Sequence, residues 1–104
     1  PDVKVVAVEP YESQAIGGGY IGRHNIPGLG AGFVPENYNP YIVDAVMAVP
    51  SHTANVTARE VLETDAIPAS PSAGAVLTAA HQLMAEHPDL KRVVCVFAGQ
   101  VLYE

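Results

Sequence analysis

The amino-acid sequence predicts an α/β fold built on a mostly parallel sheet with flanking helices. Three short apolar runs, rich in β-branched residues, have the length and composition of buried strands: residues 3–10, 44–50 and 92–98. Between the second and third runs, two segments carry apolar residues at helical spacing. Such an alternation indicates a three-layer arrangement, in which helices cover both faces of a parallel sheet.

Each helix is expected to begin at a serine, because a serine side chain can accept a hydrogen bond from a free N–H group of the first turn. The first helix is predicted to have Ser51 as its N-cap and to end near Thr64. Its apolar face is formed by Ala54, Ala58, Val61 and Leu62. The second helix is predicted to have Ser72 as its N-cap and to end before Pro88. Its apolar face is formed by Val76, Ala79, Ala80 and Leu83.

The composition excludes several classes of function. Of the 104 residues, 49% are hydrophobic and 15% are charged, which is enough apolar material for a folded core. Only five Lys and Arg residues are present and the net charge is −6, so we expect no binding to nucleic acid. No apolar run is long enough to cross a membrane, and the single Cys95 fits a reducing compartment. We therefore expect a cytoplasmic protein without a membrane partner, and a single domain or fragment over residues 1–104.

A glycine-rich stretch without periodicity separates the first two predicted strands. Seven of the nine glycines lie between Gly17 and Gly32. Irregular stretches of this length are uncommon inside a domain, and they are often functional. A dinucleotide-binding fingerprint is excluded, because Phe33 stands where the third glycine is needed and a loop precedes the motif. Two interpretations stay open: a tight loop packed on the sheet, or bare backbone that approaches a ligand.

No other group of residues forms a recognised catalytic or metal-binding pattern. The four histidines have no metal-ligand spacing, and only His24 lies beside the glycine-rich stretch. Cys95 lies inside an apolar run, where a small buried hydrophobe is expected rather than a nucleophile. A nucleophile elbow is excluded around Ser72, because Ser70 occupies the first glycine position of that motif. Ser72 is interpreted as a helix N-cap, as a hydroxyl that binds a ligand at the sheet edge, or as both.

The order of the motifs carries more information than any one of them. The strand VVAVEP is followed by the loop GGGYIGRHNIPGLGAGFVP, the segment YIVDAVMAV, the helix start ASPSAGA and the strand VVCVF. In this order the chain resembles the C-terminal part of the cysteine synthases, or O-acetylserine sulfhydrylases. These belong, with cystathionine β-synthase, to the fold type II enzymes that depend on pyridoxal 5′-phosphate (PLP). The resemblance covers nearly the whole chain and is most specific in H-x-I-x-G-x-G-A-G-F-x-P, residues 24–35.

The resemblance implies a β-replacement enzyme that makes cysteine or a related amino acid from an activated serine and a sulfur nucleophile. It implies PLP as cofactor, with Ser72 at the pyridine nitrogen and Gly28 close to the cofactor. It also implies that the substrate, a small amino acid, is bound by Gly28, Leu29, Gly30 and Ala31. The complete enzyme would be a homodimer, or this chain would be completed by another chain. The chain then corresponds to the C-terminal part of the large PLP-binding domain, an incomplete lobe.

The chain departs from the family pattern at several positions. It contains neither the Schiff-base lysine motif nor the phosphate loop, and its only lysines are Lys4 and Lys91. We therefore assign no catalytic residue and no metal ligand within it. Two alternatives to the enzyme stay open, and the departures favour the first of them for the chain as given. One is a catalytically inactive homologue or fragment that acts as an interaction module, and the other is an unrelated small α/β binding domain.

Overall fold

Two parallel strands and two helices make up the part of the chain that the structure describes. The structure is a computed structural model, and it describes residues 3–30, 32–34, 38–90 and 92–95. The elements in chain order are the strands β1 (Val6–Pro10) and β2 (Ala45–Val49), and the helices α1 (Ser51–Asp65) and α2 (Pro71–Glu86). The predicted α/β class, the parallel pairing and both helices are confirmed.

The sheet pairs β1 with β2 in one parallel register. Val6 lies opposite Ala45, and Pro10 lies opposite Val49. The first strand begins at Val6 rather than Val3, because the N–H of Val5 bonds to a side chain instead of a backbone carbonyl of the neighbouring strand. The Asp44 carboxylate accepts the N–H of Val5 at 2.7 Å.

The third predicted strand is not formed within the described residues. Residues 92–95 have no strand conformation there, and residues 96–98 lie outside the described part of the chain. A strand needs a neighbouring strand to receive its backbone hydrogen bonds. In the described part of the chain, β1 and β2 pair with each other, and Val94 is 90% exposed.

The first helix begins directly after the second strand. Pro50 is its N-cap residue and Ser51 is already helical, so the prediction of Ser51 as N-cap is wrong. Pro50 has no side chain that could accept a hydrogen bond, and the Glu12 carboxylate instead accepts the Ser51 N–H, with both oxygens at 3.1 Å. Helix α1 ends at Asp65, close to the predicted position.

The second helix begins at Pro71, with Ser70 as its N-cap. The Ser70 hydroxyl accepts the N–H of Ala73 at 3.3 Å. The prediction of Ser72 as N-cap is therefore wrong, because Ser72 is the second helical residue. Proline suits the first helical position, since its N–H is not needed there and its φ angle is already helical. This preference places the cap one residue before Pro71.

The apolar faces of the two helices meet each other and the sheet. Helix α2 packs against α1 and against both strands. The predicted faces are confirmed for the buried alanines and Val61, whereas Leu62 is 38% exposed. The central cluster of buried residues joins β2, both helices and the irregular connection between the strands. Its members are Ile26, Val49, Ala54, Ala75 and Ala79.

The connection between the strands, residues 11–44, contains no helix or strand in its described part. Its first turns are held by Glu9, a buried residue of β1 that is 3% exposed. The two carboxylate oxygens of Glu9 accept the N–H groups of Ile16 at 3.0 Å and Gly17 at 2.8 Å. One side chain therefore satisfies two backbone donors that have no partner in a helix or sheet.

Ile26 is the anchor of this connection in the core, and its side chain is fully buried. We expect Ile26→Ala to lower the free energy of unfolding by about 2–5 kcal/mol, because the change removes buried methylenes and leaves a cavity. Chemical denaturation measures the effect. The matched control is Ile42→Ala, which truncates an isoleucine that is 61% exposed and should cost less than about 1 kcal/mol. Equal losses for the two variants would contradict the anchoring role.

Candidate functional site

The loop from His24 to Val34, called the glycine loop below, is the candidate site; Ala31 within it lies outside the described residues. Its centre is a tight turn, in which the Leu29 N–H donates to the Ile26 carbonyl at 3.1 Å. Proline 27 occupies the second position of the turn, and Gly28 occupies the third with φ +93°. This arrangement matches a type II turn, which favours proline and then glycine at these positions.

The His24 side chain forms hydrogen bonds to two backbone groups of the glycine loop. The Ile26 N–H donates to His24 Nδ1 at 3.1 Å, so the ring carries its hydrogen on Nε2 and donates it to the Gly30 carbonyl, 2.8 Å away. Gly30 has φ +59°. A Cβ atom at Gly30 would lie 2.6 Å from His24 Nε2 and 2.8 Å from Pro10 Cγ. Only a glycine fits between the ring and the end of β1 in this conformation.

The glycine loop is also tied to the start of α1. The Asn25 N–H donates to the Ser51 hydroxyl at 2.8 Å, and the Asn55 side chain donates to the Asn25 carbonyl at 3.0 Å. The Ser51 hydroxyl in turn donates to the Glu12 carboxylate at 3.0 Å. Both polar backbone groups of Asn25 therefore have partners on one helix end.

Glu12 is held in its ionised form. Partial burial alone would raise the pKa of Glu12, but several hydrogen bonds to the carboxylate outweigh it. They come from the backbone of Glu12 and from the backbone and hydroxyl of Ser51, and a smaller electrostatic contribution from His24 acts in the same direction. The net result is a pKa below the ordinary glutamate value, so Glu12 is a carboxylate at neutral pH.

The start of α2 contributes two hydroxyl groups. Ser70 and Ser72 lie with their hydroxyl oxygens 2.9 Å apart, and Ser72 is half-buried. This end of the helix carries the positive end of the helix dipole, and its hydroxyl groups can donate or accept hydrogen bonds. Ala75, three residues after Ser72, shares a buried cluster with Ile26 of the glycine loop. The loop is therefore seated on the first turns of α2.

The structure describes all but one of the residues predicted to bind a ligand. Gly28 and Gly30 have the left-handed conformations described above, and the Cβ position of Gly28 has no atom within 4 Å. Leu29 packs partly against the core, so its backbone rather than its side chain is available. Ala31 lies outside the described residues. The contacts of these residues and Ser72 with a cofactor or substrate remain predictions.

Sequence reasoning missed the residues that hold the glycine loop. Glu12 lies 39 residues from Ser51, and no local pattern links the two. Ser51 was assigned to a cap, although its hydroxyl bridges Glu12 and Asn25. A signal did exist for Ser70, because a serine directly before a proline is the usual pairing of N-cap and first helical residue.

Two further features lie away from the glycine loop. Burial raises the pKa of the half-buried Cys95 thiol, which agrees with the prediction of a hydrophobe rather than a nucleophile. A groove of about 660 Å³ lies between β1, α2 and residues 92–95, and its wall includes Lys4 and Cys95 but no residue of the glycine loop. No group of three or more metal-ligating side chains occurs in residues 3–30, 32–34, 38–90 and 92–95. Neither described helix is long and apolar enough to span a membrane.

Comparison with known proteins gives consistent results. The model of the family of pyridoxal-phosphate dependent enzymes matches residues 1–99. The cysteine synthase of Staphylococcus aureus (strain Mu50) is 40% identical over 96 residues, which are 92% of this chain and 31% of that protein. The crystal structure of the cysteine synthase of Entamoeba histolytica matches with a TM-score of 0.79 at 38% identity, over 84% of this chain and 25% of that one. The structure of an O-ureido-L-serine synthase matches with a TM-score of 0.77 at 34% identity, over 84% and 27%.

The chain belongs to the pyridoxal-phosphate dependent enzyme family, in its fold type II branch. The predicted resemblance to cysteine synthases is thereby confirmed, and an unrelated small α/β binding domain is excluded. The chain spans 31% of the length of the Staphylococcus aureus relative.

The described residues fit part of a PLP site. The hydroxyl of Ser72 is the type of group that can donate to a pyridine nitrogen, and the open side of Gly28 leaves room beside bare backbone. The only lysine in the described part of the chain is Lys4, which lies before β1 on the apolar groove and not at the glycine loop. The described residues therefore include groups suited to contact the ring, and the one lysine among them does not lie at this loop.

The two glycines of the loop should respond differently to substitution. We expect Gly30→Ala to destabilise the protein by about 2–4 kcal/mol, because it adds a clash with His24 and Pro10 to the strain of a left-handed residue. Gly28→Ala, with the strain alone, should cost about 1–2 kcal/mol. Thermal and denaturant unfolding measure both values. A Gly30→Ala variant as stable as Gly28→Ala would show that the packing around His24 is looser than described.

Proposed function

We propose that this chain is part of a PLP-dependent β-replacement enzyme. The reaction makes cysteine or a related amino acid from an activated serine and a sulfur nucleophile. One observation carries the proposal. Ile26 of the glycine loop and Ala75 of α2 belong to one buried cluster, and Ser72 lies at the same end of α2 as Ala75. Membership of the family and similarity to cysteine synthases support it.

The proposal gives each part of the site a role. PLP, when bound, withdraws electrons from the amino acid so that the substituent at its β-carbon can leave and be replaced. Gly28 to Gly30, with Ala31, bind and orient the amino acid through backbone groups, and Gly28 also lies beside the cofactor. Ser72 places a neutral hydroxyl at the ring nitrogen, and this leaves the nitrogen unprotonated.

The wider setting is part of the same proposal. The substrate is a small amino acid, and neither nucleic acid nor a membrane takes part. The active protein is a cytoplasmic homodimer, or this chain is completed by a second chain. The structural match to O-ureido-L-serine synthase is the reason for including a related amino acid as product, since that protein's name denotes a product other than cysteine.

The two serines at the start of α2 provide the test of the cofactor contact. In the intact natural protein loaded with PLP, we expect Ser72→Ala to shift the absorption spectrum of the cofactor and to slow β-replacement about tenfold, the effect of one lost hydrogen bond. Its cost in stability should stay below the ~1 kcal/mol expected for Ser70→Ala, which removes the N-cap. An unchanged spectrum and rate for Ser72→Ala would remove the cofactor assignment.

A specific observation keeps the alternative function in view. The chain has only two lysines, Lys4 and Lys91, and neither lies in a lysine motif of the family. The alternative is a catalytically inactive homologue or fragment that acts as an interaction module completed by a partner chain.

Covalent trapping of the cofactor separates the two functions. If the 104 residues alone are mixed with PLP and reduced with borohydride, we expect no stoichiometric label on Lys4 or Lys91. Neither lysine belongs to a lysine motif of the family, and Lys4 lies on the apolar groove away from the glycine loop. The same treatment of the intact natural protein should label one lysine outside these residues. Absence of any label there would favour the interaction module, and a label on Lys4 or Lys91 would contradict both accounts of the site.

A further inference from the structure

A continuous hydrogen-bond path joins Glu12 to the glycine loop. Both oxygens of the Glu12 carboxylate lie 3.1 Å from the N–H of Ser51, and one of them accepts the Ser51 hydroxyl at 3.0 Å. The same hydroxyl accepts the N–H of Asn25 at 2.8 Å. Because the carboxylate can only accept while it is ionised, the Ser51 hydrogen points to Glu12 and its lone pairs are left for Asn25.

This path connects three segments that are distant in the sequence. Asn25 lies 26 residues before Ser51, and Glu12 lies 39 residues before it. Hydrogen bonds to an ionised acceptor are stronger than neutral ones, and neighbouring hydrogen bonds polarise one another. The charge on Glu12 therefore strengthens the bond that holds the loop as well as the bond that caps the helix.

We propose that Glu12 is a positioning residue for the glycine loop. Its carboxylate orients the Ser51 hydroxyl, which fixes Asn25 and thereby the backbone that the loop presents from Gly28 onward. The inference rests on the proposed function, because that function assigns this backbone to the amino-acid substrate.

A simpler role, the capping of α1 alone, does not account for the geometry. Capping requires only the bond from the Ser51 N–H to the carboxylate. The hydroxyl bridge to Asn25 is additional, because the cap would be complete without it. Glu12 is thus linked to the loop through Ser51, in addition to its bond to the first N–H of α1.

Because the positioning requires an ionised Glu12, it depends on pH. The pKa of Glu12 in the folded protein lies below the ordinary value of 4.5. Its contribution to stability is therefore complete above about pH 4.5, and it is lost as the pH falls through the lower pKa of the folded state. His24 is the titratable group of the loop that faces Glu12. At neutral pH, only a substitution can remove the charge.

Hydrogen exchange of the Asn25 amide in the intact natural protein tests the inference without reference to activity. Glu12→Gln removes the charge at nearly constant shape, and Ser51→Ala removes the bridge but keeps the Ser51 N–H for Glu12. We expect each variant to speed exchange of the Asn25 amide about tenfold, as for the loss of one charge-assisted hydrogen bond. The double variant should add little, because both changes break one path.

The matched control is Glu60→Gln, which makes the same change at an exposed glutamate of α1 and should leave Asn25 unchanged. Faster exchange that is confined to the first turn of α1 would show that Glu12 is only a cap, and would overturn the inference. Additive effects of Glu12→Gln and Ser51→Ala would overturn it as well.

Kinetics of the same variants connect the path to the substrate. For the PLP-loaded intact protein, we expect Glu12→Gln to raise KM for the amino acid severalfold while the absorption spectrum of the cofactor stays unchanged. Faster exchange at Asn25 with an unchanged KM would contradict the assignment of the loop to the substrate, and with it the positioning role. Unchanged exchange at Asn25 would overturn the Glu12 path and leave the proposed function standing.

Discussion

The connection between β1 and β2 has to keep one shape without a helix or strand of its own. Its backbone donors cannot bond to a ladder, and a buried donor without a partner costs free energy. Two carboxylates help to meet this requirement: Glu9 receives two N–H groups of the first turns, and Glu12 holds the Ser51 hydroxyl that receives the Asn25 N–H. Ile26 adds the apolar anchor. These attachments hold the glycine loop in place.

The same attachments explain why the loop has glycine at its turning positions. With His24 bonded to the Gly30 carbonyl and Ile26 buried, the chain must turn within a few residues, and it does so through left-handed conformations at Gly28 and Gly30. Because side chains on the core side hold the loop, the backbone groups on its solvent side are available to a ligand. This is the physical basis for the proposal that an amino-acid substrate binds there.

The sequence predicted those features that depend on neighbouring residues. The runs of valine and alanine located β1 and β2, and the apolar spacing located both helices. The third predicted strand is not formed within the described residues. It failed where proline decides a helix start, since Pro50 and Pro71 each moved the N-cap one or two residues before the predicted serine. Contacts between distant segments could not be predicted, because Glu12 and Ser51 meet only when β1 and β2 pair. The resemblance of motif order located the family, although no single motif is decisive.

A crystal structure of the intact natural protein with PLP and an amino-acid ligand tests the central claim most directly. The distances to measure run from the Ser72 hydroxyl to the ring nitrogen, and from the backbone of Gly28 and Gly30 to the amino acid. The account predicts a hydrogen bond of about 2.7–3.2 Å at Ser72 and direct contact of the amino acid with the glycine loop. A cofactor whose ring nitrogen meets another residue, with the loop turned away from the ligand, would contradict it.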